Sequence, residues 1–129
     1  MGAFVRGAYV RGQVVVLPFP FSNLESKKRR PAVVLAEVSG PYQEVILCEI
    51  TAKPSESAIQ ITKSDFEKGE LHHPTSYVKP DRLFTAELTL IKRSVGNLNS
   101  SKMKEIMDQV RRTFGFDEEQ SGEQSDESN

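Results

Sequence analysis

Arg30 ends a run of four cations, Lys27-Lys28-Arg29-Arg30, that enters Pro31 and then the apolar stretch Ala32-Val33-Val34-Leu35. The proline fixes its own φ and pushes the residue before it towards extended backbone, so Arg30 is expected at a strand mouth on a stiffened chain. Thr51 closes the next apolar stretch, residues 44–51. If the two stretches form an antiparallel meander, the end of the second returns to the level of Arg30. A guanidinium and a hydroxyl on one edge can grip a phosphodiester and stabilise the charge of a pentavalent phosphorus transition state without a metal. Each residue also has a plainer use. A basic run can be the solvated face of a turn, and a strand-end threonine can cap one.

The elements that must position this pair follow from apolar pattern and turn signals. Gln13-Val14-Val15-Val16-Leu17 is a β-branched run of strand length opened by Gly12 and ended by Pro18 and Pro20. Residues 22–30 form a polar, charged loop longer than a hairpin needs, and such loops tend to carry function. Residues 32–38 read as a second strand closed by Ser39-Gly40-Pro41, and residues 44–51 as a third ended by Lys53-Pro54-Ser55. Residues 58–61 alternate as a short fourth strand. Thr62-Lys63-Ser64-Asp65 has capping-box spacing and predicts a brief helical turn running to Gly69. Residues 76–78, 82–85 and 87–92 read as further extended pieces, the first two separated by Pro80. Met103, Ile106, Met107, Val110 and Phe114 share one helical face, with caps at residues 99–101, cations at Arg111 and Arg112 and a stop at Gly115. The architecture expected is mostly β with α: a small antiparallel β-barrel with a C-terminal helix.

Composition narrows the rest. The 129 residues suit one domain over 1–116 and an acidic tail over 117–129, the latter expected to be disordered. The whole chain has a formal charge of -1, yet six of its 18 acids and none of its 17 cations fall after Phe116. The body is therefore basic, which favours a phosphate-bearing partner. Cys48 is the only cysteine and sits among apolar neighbours, so a buried thiol is expected and a disulfide framework is excluded. No stretch reaches the roughly 20 apolar residues of a membrane span, and residues 1–11 lack the apolar core of a secretory signal, so the cytoplasm is the expected location. His72 and His73 are adjacent and stand without a Cys or carboxylate cluster at ligand spacing, so no metal set is read from them. Neither a phosphate-binding glycine loop nor a nucleophile motif occurs, and no cofactor is expected.

Gly12-Gln13-Val14-Val15-Val16-Leu17-Pro18-Phe19-Pro20-Phe21, then Arg29-Arg30-Pro31-Ala32-Val33-Val34-Leu35 and Ile50-Thr51-Ala52, in that order, resemble the MazF/PemK family of toxin–antitoxin ribonucleases. The likeness continues more weakly through Asp65-Phe66, Ser76-Tyr77-Val78, Asp81-Arg82-Leu83 and the final helix. It implies an SH3-like barrel, usually a homodimer, that cuts single-stranded RNA at short motifs without metal. In this family the substrate's own 2′-hydroxyl attacks, leaving a 2′,3′-cyclic phosphate and a 5′-hydroxyl. Arg30 matches the family arginine that transfers a proton or stabilises the phosphorane, and Thr51 matches the threonine on the scissile phosphate. Glu25 matches a first-loop acid only loosely. Lys27, Lys28, Arg29, Ser22 and Lys53 are the RNA contacts expected around them. A cognate antitoxin is implied as the partner that occupies the RNA groove.

Gln13 replaces an acid that many relatives carry after the glycine, and the acidic tail extends past the family's usual end. Two other functions stay open on the same barrel. A toxin that binds DNA gyrase without catalysis would not need Arg30 or Thr51, and a degenerate barrel would bind RNA without cutting it.

Overall fold

A computed structural model describes residues 9–19 and 28–116 of the chain. Seven strands and one helix follow in order: β1 (Gln13–Pro18), β2 (Arg29–Val38), β3 (Glu44–Thr51), β4 (Ile59–Thr62), β5 (Phe66–Gly69), β6 (Thr75–Glu87), β7 (Arg93–Leu98) and α1 (Ser100–Thr113). They form one antiparallel sheet in the order β4-β6-β3-β2-β1-β7-β5. The sheet curls into a nearly closed barrel. Its two edge strands meet over the same core, Ile59 and Ile61 from β4 and Phe66 from β5, beneath Met103, Ile106 and Val110 of α1.

Alternation along the strands divides the apolar residues between two faces. Val14, Val33, Leu35, Cys48 and Ile50 belong to the cluster under α1. Val15, Leu17, Ala32, Val34 and Leu47 belong to a second cluster with Phe19, Phe84 and Leu88. Strands buried on both faces read as continuous apolar runs, which is why β1 to β3 are conspicuous in the sequence. The observed β3 has the predicted bounds, and β2 starts three residues earlier, at Arg29 rather than Ala32. Pro31 is tolerated there because the ladder to β3 begins only at Ala32, so no β3 carbonyl is left waiting for its missing N–H.

Three expectations are corrected. The helical turn predicted to reach Gly69 is a 3-10 turn over Lys63–Asp65 followed by strand β5. The capping geometry is real, since the Asp65 carboxylate accepts the Thr62 backbone N–H at 2.8 Å, but pairing with β7 then captures the chain. The close approach of Gly69 to Gly96 makes that pairing possible. The pieces on either side of Pro80 are one strand, β6, of 13 residues. Its register against β3 jumps from Cys48↔Leu83 to Ile50↔Val78, so Pro80 lies in a bulge where a missing donor costs no ladder bond. Residues 87–92 form a 3-10 turn over Leu88–Leu90, and the last strand is β7.

The C-terminal helix agrees with its sequence pattern at Met103, Ile106 and Val110, which are buried, whereas Phe114 caps the helix from just beyond its end and is exposed. The Asn99 side chain accepts the Lys102 N–H at 2.8 Å as N-cap, and Gly115 follows the last turn with φ of +87°. Cys48 is fully buried, and its thiol donates to the Lys79 carbonyl at 2.8 Å inside the β6 bulge. Burial, with Asp81 and Glu49 nearby, pushes that thiol up to about 12. The buried thiol expected from the sequence is what the fold contains. Among the described residues no helix is long and apolar enough to cross a membrane.

Candidate active site

Arg30 is the second residue of β2 and lies opposite Leu17 of β1. On its other side β2 pairs with β3 at Ala32↔Glu49, and that register carried two residues further aligns Arg30 with Thr51. The meander expected from the sequence therefore returns Thr51 to the level of Arg30. Arg30, Ala32 and Val34 share a side of β2, and Thr51, Glu49 and Leu47 share the matching side of β3.

The centre of this arrangement is Glu49, a carboxylate set between Cys48 and Ile50 in the apolar run of β3 and only 8% exposed. It receives Arg30 at 3.7 Å through one oxygen and Arg82 at 3.7 Å through the other. A buried carboxylate is costly unless it is paired, and two guanidiniums supply the pairing. The β6 bulge brings the second one in. The register jump across Glu49 lets β6 carry extra residues there, and Arg82 reaches the carboxylate from that excursion. The Arg30 guanidinium also lies 5.8 Å from the Phe19 ring centroid, within cation–π range. Phe19 is itself packed on Phe84 with centroids 4.9 Å apart. Arg30 is thus held from two directions, while its side chain stays 44% exposed. A fixed yet accessible guanidinium can present a fork of donors to a phosphate without reorganising.

Thr51 is half-buried, and its Oγ1 accepts the Lys53 backbone N–H at 3.2 Å. That bond occupies a lone pair and leaves the hydroxyl proton available to a ligand oxygen. Directly opposite Thr51 on β6 stands Tyr77, which pairs on its other side with Gln60 of β4. Cross-strand partners share a face, so an aromatic ring flanks the hydroxyl.

Of the residues singled out by sequence, Arg30 and Thr51 are brought together, and Lys53 follows Thr51 on an exposed turn. Lys28 is exposed just before β2. Arg29 lies on the opposite side of β2 from Arg30, where it lines a separate cavity. Ser22, Glu25 and Lys27 lie outside the described residues, as does the acidic tail. Sequence reasoning missed Glu49, although a lone carboxylate in Leu47-Cys48-Glu49-Ile50 was a visible signal. It also passed over Arg82 and Tyr77 as chemistry, because only the bulged register places them here. Among the described residues no group of three or more His, Cys, Asp or Glu side chains could hold a metal ion.

The fold is thus a seven-stranded, nearly closed antiparallel barrel with a C-terminal helix, carrying a braced arginine beside a threonine at a strand end. The chain belongs to the PemK-like, MazF-like toxins of type II toxin–antitoxin systems, whose family model matches residues 10–114. Solved structures of the same fold include an endoribonuclease in complex with its cognate antitoxin from a mycobacterial species, with TM-score 0.62 and 16% identity over 86% of this chain and 97% of that one. The Mycobacterium tuberculosis toxin MazF-mt6 aligns with TM-score 0.61 and 16% identity over 81% of this chain and 98% of that one. A further mycobacterial endoribonuclease aligns with TM-score 0.62 and 17% identity, covering 84% and 93%. Comparison with curated proteins gave no match.

Proposed function

We propose that this toxin is a metal-independent, sequence-selective endoribonuclease that cuts single-stranded RNA by attack of the substrate's own 2′-hydroxyl. The observation that carries the reading is the ion pair between Arg30 and the nearly buried Glu49. It fixes a solvent-facing guanidinium at the strand end that also bears Thr51. Membership of the toxin family, with endoribonucleases among its structural likenesses, supports it.

In the reaction the 2′-oxygen bonds to phosphorus and the bond from phosphorus to the 5′-oxygen breaks. The 2′-hydroxyl proton leaves and the departing 5′-oxygen gains one, so a 2′,3′-cyclic phosphate and a 5′-hydroxyl result. Arg30 donates to the non-bridging oxygens as negative charge grows on them, and the Thr51 hydroxyl holds the same phosphate from β3. Glu49 orients Arg30 and Arg82 and is a positioning residue. Tyr77 offers a face on which an unpaired base can stack, which is how single-stranded RNA is usually read. Glu25 is the first-loop carboxylate available for one of the proton transfers. Lys27, Lys28 and Lys53, with Ser22, supply the approach to the backbone. A cognate antitoxin covering this groove would silence the enzyme, which acts as a homodimer in the cytoplasm.

The test is incubation of the purified chain with unstructured RNA in EDTA, followed by analysis of product ends. Fragments with 2′,3′-cyclic phosphates are expected. Intact RNA alongside continued toxicity in cells would point instead to a protein target such as DNA gyrase.

A further inference from the structure

Arg29 and Arg93 line a cavity of about 340 Å³ on the side of β2 away from Arg30. The two strands that carry them flank β1: Arg93 of β7 and Pro31 of β2 both pair with Val16, and Arg29 pairs with Pro18. The loop between β5 and β6 adds His72 and His73, whose rings meet edge-on at 5.4 Å. Val16, Pro31 and Val95 give the cavity an apolar wall. Its volume lies within the range of small-ligand sites.

Three features mark it as built for an anion. Its lining includes two arginines and no carboxylate among the described residues. Neither Arg29 nor Arg93 forms an ion pair among the described residues, unlike Arg30 and Arg82, which are committed to Glu49. Ser76 lines the cavity at only 4% exposure, and its hydroxyl makes no hydrogen bond among the described residues. A buried hydroxyl without a partner is unusual and is satisfied when a ligand oxygen arrives.

We infer that this cavity binds one nucleotide of the RNA outside the scissile position, its phosphate between Arg29 and Arg93 and its base against the imidazoles and the apolar wall. The chemistry favours a nucleotide over an acidic peptide. Two arginine forks with a hydroxyl match a tetrahedral phosphate, and stacking rings beside an apolar wall match a base. The inference rests on the reading that the chain handles RNA, and it extends the contact surface around the end of β2. Arg29 and Arg30, adjacent in sequence, then engage different phosphates of one strand.

The chain's own histidines make the test direct. It has two, and both line this cavity, so their imidazole NMR signals report on it, His72 most directly because His73 also borders a smaller pocket beside Glu70. Adenosine 5′-monophosphate, titrated into the full chain at fixed pH and ionic strength, should shift both signals saturably. Adenosine or inorganic phosphate alone should shift them less. Arg93→Ala should weaken the response about ten-fold, as loss of a charge-assisted contact does, and Arg29→Gln should do likewise. Against RNA, Arg93→Ala should raise KM with little change in kcat. Signals that follow only ionic strength, an undiminished response in both variants, or a response to polyglutamate and not to the nucleotide would overturn the inference. A chain that fails to cut RNA while its histidines still report the nucleotide would overturn the cleavage reading and leave this site standing. A chain that cuts RNA with unresponsive histidines would do the reverse.

Discussion

Arg30 and Glu49 meet at 3.7 Å across neighbouring strands, the guanidinium 44% exposed and the carboxylate side chain 11% exposed. The inequality is informative. The carboxylate lies inside and cannot reach solvent to act alone, whereas the guanidinium it holds faces outward. In the proposed reaction Glu49 therefore acts through Arg30. Replacing it with Gln keeps the shape and removes the charge that orients both arginines. Cleavage by Glu49→Gln should fall about ten- to a hundred-fold, mainly in kcat, because small misplacement of a transition-state donor is costly. Far-UV circular dichroism should be unchanged. Full activity in Glu49→Gln would show that Arg30 needs no such anchor.

In the proposed reaction Thr51 holds the phosphate through its hydroxyl, so the methyl group should be dispensable. Thr51→Ser should retain most cleavage activity, while Thr51→Ala should lose on the order of a hundred-fold, the usual consequence of removing one donor to a developing oxyanion. Equal losses in the two variants would mean that Thr51 serves only to shape the turn at Lys53.

Cys48 should be silent in the native protein. Its thiol is raised from the ordinary 9.0 to about 12 by burial, so it remains protonated where surface thiols ionise. At pH 8 a disulfide reagent should leave it unmodified until denaturant is added. The folded value is above the unfolded one, so the thiol's contribution to stability is intact below pH 9.0 and is lost as pH climbs towards 12. Rapid labelling without unfolding would contradict the buried hydrogen bond to Lys79.

Gly69 should tolerate no side chain. A Cβ there would stand 2.1 Å from the Val95 carbonyl oxygen, on backbone with φ of +81°. Gly69→Ala should destabilise the fold by about 1–3 kcal/mol or more, read from urea denaturation. A midpoint equal to that of the parent chain would mean that β5 and β7 do not pair as described.

The parts of this fold that were legible in the sequence are those with dense local signals. β1, β2 and β3 are buried on both faces and announce themselves as apolar runs, and α1 carries its own periodicity, cap and stop. The alignment of Arg30 with Thr51 followed from the meander, because antiparallel neighbours joined in sequence reverse direction. β7 was missed because Arg93-Ser94-Val95-Gly96-Asn97-Leu98 is half polar, with a glycine in its interior. That glycine is needed only because β5 crosses so closely, which is a tertiary fact. β5 was misread for the same reason: its capping box is a local signal, and pairing with β7 overrides it. The Glu49–Arg82 contact depends on a register jump that no local pattern encodes. The charge of Glu49 could have been noticed, but its partners could not.

In the proposed reaction Arg30, braced by Glu49, stabilises the phosphodiester transition state in RNA. The most direct test of this role is the rate of cleavage of unstructured RNA in EDTA by the parent chain, Arg30→Lys and Arg30→Ala. Lys keeps the charge but cannot present two parallel donors, so it should retain a small fraction of activity, and Ala should lose at least about a thousand-fold. RNA binding by Arg30→Ala should weaken far less than its rate. Cleavage in EDTA that continues unchanged in Arg30→Ala would contradict the account.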